Sequence, residues 1–146
     1  MPFTSLALRR FVRHALVSAT GVAAPDRTQL AGAFDLLCER LRARLHPMFG
    51  SAAVSALFGR AHRVAAAEFT WLAEVVPTDG ERCSLKGVEA VSHHVEPEMM
   101  AEGLAAVLAH DIGLLSTLIG DDLVMPLVEE AWRSVSSAVP REKTED

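Results

Sequence analysis

Tyrosine is absent from the 146 residues, and phenylalanine and tryptophan alone bring the aromatic content to only 5%. That scarcity argues against a sheet, whose strands favour aromatic and β-branched side chains. Cysteine occurs twice, at Cys38 and Cys83, with neither the close spacing of a redox motif nor that of a zinc framework. Two such thiols suit a reducing compartment, and the expected location is cytoplasmic. Basic residues are outnumbered, 14 Lys and Arg against 19 Asp and Glu, for a formal charge of −5. A phosphate backbone calls for a clustered excess of Lys and Arg, so no nucleic-acid partner is expected. No uninterrupted apolar run approaches the roughly 18 residues that a bilayer span requires.

Hydrophobic residues make up 50% of the chain, led by Ala, Leu and Val, a mixture whose intrinsic preference is helical. A chain of this length buries about 68–70% of its unfolded surface, so one domain with its own core is within reach. The expected fold is all-α, a single bundle of about five helices over residues 1–139, with the charged tail "PREKTED" at 140–146 disordered. The spacing predicts a first helix over 4–20, stopped at Gly21, and a second from Pro25 and Asp26 to Leu45. Pro47 disfavours helical geometry at His46, so "HPMFGS" reads as a tight connection or a kink. A third helix, capped by Ser51, should run to Val76 before Pro77. "PTDGERCSLKG" is the irregular, polar segment, and Leu85, Val88, Val91 and Val95 allow a short helix after it. Two further helices follow, from Pro97 to Ile119 and from Asp121 or Asp122 to about Ala138.

The N-terminal 25 residues carry Arg9, Arg10 and Arg13 and no acid, the composition of a mitochondrial presequence or of a helix lying on an anionic membrane. The Ala-rich apolar face, continued downstream, favours a first bundle helix with a solvated basic face instead.

"VSHHVEPEMM", residues 91–100, resembles a ligand cluster at first sight, with His93, His94, Glu96, Glu98 and, from the preceding loop, Cys83. Zinc needs three or four ligands converging on one point, whereas consecutive histidines diverge on any regular element. Pro97 suits the first position of a helix and carboxylates there stabilise its positive end, so helix initiation accounts for both glutamates and no metal is expected. His14, His46, His62 and His110 are scattered over separate segments. A single axial haem ligand among them is the one cofactor reading they permit, and no cofactor is expected.

Charges inside apolar arcs are the more unusual signal. On the wheel of residues 97–119, Asp111 falls near the centre of the arc formed by Leu104, Val107, Leu108, Ile112 and Leu115. Glu68 projects between Ala61, Val64, Leu72 and Val75, and Arg44 lies at the edge of a stripe with Leu37 and Leu41. An isolated buried carboxylate costs several kcal/mol or gives up its charge. Arg44, Glu68 and Asp111 are therefore expected to meet as a buried polar network, which either fixes helix register or forms the polar spot of a small-molecule pocket.

Two interior carboxylates do not make an enzyme without a substrate cleft around them, and no nucleophile elbow or nucleotide loop is present. The leading expectation is a non-enzymatic regulatory or scaffolding module that binds a protein partner or a second copy of itself. Met99, Met100, Val17, Trp71 and Trp132 are the expected exposed apolar contacts. A sensor bundle holding a small ligand near Arg44, Glu68 and Asp111 is the alternative, and a membrane-surface protein using the first helix is the weaker one.

Overall fold

Asp26 shows how locally the helices are set. Its carboxylate accepts the Gln29 backbone N–H at 2.8 Å while the Gln29 side chain accepts the Asp26 N–H at 2.9 Å, a reciprocal cap that satisfies two orphan donors. The computed structural model describes residues 6–77, 85–86 and 95–138. Four helices account for nearly all of it: α1 (Leu6–Thr20), α2 (Arg27–Glu68), α3 (Pro97–Ile119) and α4 (Asp121–Ala138), in a single all-α domain.

Four helices stand where about five segments were expected, because α2 absorbs two of them. His46 and Pro47 stay helical, and the break comes at Gly50, with φ 85° and ψ 161°. Only glycine reaches that region without strain, so it sets the kink, whereas the proline costs one helical hydrogen bond near the end of the first arm. The second arm, 51–68, stops earlier than Val76, since Phe69 turns extended and Thr70–Glu74 tightens into a 3₁₀ turn. His62 Nε2 donates to the Leu72 carbonyl at 2.8 Å and fastens that turn to the helix. Val76 and Pro77 then pair antiparallel with Lys86 and Leu85, so these two residues are extended rather than part of a short helix. The remainder of that segment, with Cys83, His93 and His94, and the tail 140–146 lie outside the described residues.

α3 is the centre of the fold. Fourteen of its 23 residues are buried, more than one face of a helix holds, so neighbours must surround it. Leu104, Leu108, Ile112 and Leu115 are completely enclosed, each contributing about 1.5–3 kcal/mol of burial. Ala101, Ala105, Ala106 and Ala109 between them are small enough to let other helices approach. By length and composition this is a helix that could cross a membrane, and here it is the wrapped core helix.

Register follows from a few contacts. Arg27 Nε donates to the Val95 carbonyl at 2.7 Å, which sets the start of α2 beside the start of α3, and Leu41 and Leu45 further along border the same crevice as Leu108 and Asp111, so the first arm runs parallel to α3. Trp132 Nε1 donates to the Leu37 carbonyl at 3.0 Å, and Arg44 pairs with Glu130, so α4 runs antiparallel to that arm. The Trp132 ring also stacks on Phe11 with centroids 6.0 Å apart. Trp132 and Met100, expected as exposed contacts, are core residues; Met99 is exposed, and Val17 and Trp71 are half-buried.

Trp71 packs close against Gly103, where an added Cβ would sit 2.6 Å from the indole Cζ2. Alanine at 103 gains intrinsic helix propensity of up to about 1 kcal/mol yet collides with a rigid ring. Gly103→Ala should therefore lower stability by about 1–3 kcal/mol in urea unfolding, and Gly103→Ala combined with Trp71→Leu should lose less than the sum of the single changes.

Candidate functional site

Of the three inward charges expected from the helical wheels, the structure buries one. Asp111 is 4% exposed and its Oδ1 has no hydrogen-bond partner. Burial alone pushes its carboxyl up to about 7. The crevice beside it is lined by Cys38, Leu41, Arg42 and Leu45 from the first arm of α2 and by Val54 from the second, and it leaves no room for a water molecule.

Glu68 is not in that crevice. It is the last residue of α2, where solvent reaches the helix end, and its side chain remains 46% exposed. Arg9 of α1 clamps it with two hydrogen bonds, Nη1 to Oε2 at 2.7 Å and Nη2 to Oε1 at 2.6 Å. This pairing holds the Glu68 carboxyl below its usual range and strengthens the hold of Arg9 on its own proton. His110 stands beside the pair, its Nε2 3.4 Å from Arg9 Nη2 and 4.0 Å from Glu68 Oε1. Burial first, then the Arg9 charge, push its imidazole below the usual value. At neutral pH it is uncharged and offers Nε2 as the acceptor to Arg9. His110 and Asp111 are neighbours in sequence, but a helix turns about 100° per residue, which sends them to different partners.

Arg44 lies on the surface as well, bonding Glu130 Oε2 at 3.0 Å with both side chains about half exposed. The expected network of Arg44, Glu68 and Asp111 is thus three separate features. A wheel gives direction around an axis; it does not show that Glu68 ends its helix or that a long Arg side chain can lead its charge out to water. Arg9 and His110 are the groups that the sequence reading missed. One signal pointed to them: a first helix bearing only basic residues needs acids on another element. Arg13 is answered in the same way, its Nε 3.3 Å from Glu102 Oε2, and these pairings leave less of the basic face available to a membrane.

A separate groove of about 440 Å³ opens between the C-terminal half of α1, the α1–α2 connection and the start of α3. Val17, Ala24, Pro25, Leu30 and Ala101 give it apolar walls, and Arg13, Glu96 and Glu98 supply charge at its edge. Pro97 occupies the first position of α3, with Glu98 in the first turn and Glu96 at the cap position making no capping bond. Among the described residues no group of three or more His, Cys, Asp or Glu is gathered for a metal ion.

The two surface pairs differ in a measurable way. The bidentate Arg9–Glu68 pair should show a coupling of about 0.5–1 kcal/mol in a double-mutant cycle, reduced by salt, and the half-exposed Arg44–Glu130 pair close to none. Because the Glu68 carboxyl is depressed by folding, its contribution should be fully present above its ordinary value of 4.5 and be lost progressively as pH falls through the lower folded value. Comparison with known proteins returns nothing to set beside this geometry: no family model, no curated protein and no solved structure matches the chain.

Proposed function

We propose that the chain is a non-catalytic regulatory or scaffolding module that docks a protein partner at the end of the bundle where α2 bends. One observation carries the reading. Among the described residues, three of the four most exposed large apolar side chains are Met48 at 52%, Leu118 at 60% and Leu123 at 61%. They come from three different helices whose register brings them to that one end. The first arm of α2 runs parallel to α3 and reaches its bend beside Asp111, while α4 starts from the same corner at Gly120. Isolated exposed hydrophobics are ordinary, but three from separate elements at one end are what a docking surface needs.

Charge indicates the partner. Asp121 and Asp122 are exposed between Leu118 and Leu123. An apolar helix face flanked by Lys or Arg matches that arrangement, and one flanked by acids is repelled. The test uses two synthetic amphipathic helices with the same leucine face, one flanked by lysines and the other by glutamates, titrated into labelled protein. The lysine peptide should perturb amide resonances around 48 and 118–123, and Leu118→Asp with Leu123→Asp should abolish the effect. Equal response to both peptides, or shifts elsewhere in the bundle, overturns the reading. Light scattering over the same concentrations distinguishes self-association through this end, in which a second copy is the occupant.

The groove of about 440 Å³ favours a second reading, a small-molecule sensor, because its volume lies within the range of roughly 300–1,000 Å³ usual for such sites. The ligand would sit there, and neither the surface pairs of Arg44 and Glu68 nor the narrow crevice at Asp111 would hold it. A compound that raises the melting temperature should lose that effect in Ala24→Trp, which fills the mouth; an unchanged shift removes this reading.

A further inference from the structure

Asp111 has a burial that no partner explains. Its side chain is enclosed, one carboxylate oxygen is unsatisfied, and it faces the inside of a helix bend. Leu45 stands five residues before Gly50 and Val54 four residues after it, and both line the crevice against Asp111. Asp111 therefore shares one crevice with residues of both arms of α2. Gly50, with φ 85°, is the point about which those arms can move, since glycine absorbs backbone changes that other residues resist.

We propose that the α2 bend is a proton-gated hinge: with Asp111 protonated, Leu45 and Val54 close over it, and with Asp111 ionised the arms part so that the carboxylate reaches water and the Arg42 guanidinium. Arg42 lines the same crevice from the first arm, and its Nη2 donates to Glu39 Oε2 at 2.8 Å. Cys38 is the other titratable group there, and the second arm contributes only Val54. On α3 itself, the neighbouring His110 faces Arg9 and Glu68 instead.

The direction of the switch follows from proton linkage. Folding raises the Asp111 carboxyl from its ordinary 3.8 to about 7, so the closed form binds the proton more tightly than an open one. Closure is fully favoured at low pH, loses ground as pH rises above the ordinary value, and is weakest once pH passes about 7. Opening a hinge in this way is local, so it should leave the packing of α4 on α1 intact.

Hydrogen exchange on the full chain, normalised for intrinsic rates and read peptide by peptide, tests the hinge. Between pH 5.5 and 8, protection over 45–54 should fall about tenfold or more, while peptides around Trp132 keep theirs. In Asp111→Asn the fall should disappear. In Arg42→Gln the ionised form loses its partner, and the midpoint should move to higher pH. Unchanged protection of the wild-type bend across this range overturns the proposal without any variant. So does an equal loss in every peptide, which is global destabilisation, or the same loss in a folded Asp111→Asn. Met48 lies in the bend, so opening would also rearrange the docking end. That consequence depends on the docking reading, whereas the exchange experiment does not, and each can fail alone.

Discussion

Everything in this fold answers to one constraint, that α3 presents no face fit for water along most of its length. An amphipathic helix can rest on a single neighbour. A helix apolar around its circumference needs cover on every side, and α1, both arms of α2 and α4 all pack as its cover. The alanines and Gly103 make the arrangement possible by letting backbones and the Trp71 ring come close. The bend in α2 follows from the same demand, since two arms at an angle enclose more of α3 than one straight rod.

The charges are distributed according to that enclosure. Arg9 with Glu68, Arg13 with Glu102 and Arg44 with Glu130 tie one element to another around the outside, where water still solvates them. Such pairs add little stability, but they make particular alignments of the outer helices preferable. Asp111 is the exception. It sits on the central helix, 4% exposed and with no hydrogen-bond partner at Oδ1, and taking up a proton lowers the cost of that burial. A site that opposes the local rule for cores, placed at the one glycine bend of the covering helix, is where a conformational device is most economically built.

Several elements were legible before any coordinates. Asp26, Pro97, Gly21 and Gly120 announce helix ends through side-chain caps, a preset φ or a positive φ, and all of these act within a few residues. The α2 bend falls inside "HPMFGS", where the sequence leads one to expect a connection or a kink, but Pro47 is the louder signal there and Gly50 is where the backbone departs from helical geometry. Met100 and Trp132 are inside for reasons no single helix displays: α3 is covered on several sides, and the carbonyl of Leu37 on another helix accepts the Trp132 N–H. Of the inward charges, only Asp111 was read correctly as buried, because it lies mid-helix, where an apolar arc does predict enclosure.

Composition and local chemistry were sufficient for the all-α class, for most helix boundaries and for the burial of Asp111, since each depends on periodicity, propensity or capping within a turn or two. Which charge meets which was decided only by the tertiary structure. Arg9 and Glu68 are separated by 59 residues, and their two hydrogen bonds exist because α1 and the end of α2 cover the same stretch of α3. The same holds for the crevice that Leu45 and Val54 form with Asp111 and for the groove beside Pro97. These features depend on distances between elements, and those distances are set by how α1, the two arms of α2 and α4 wrap the core helix α3, not by anything a local window of sequence contains.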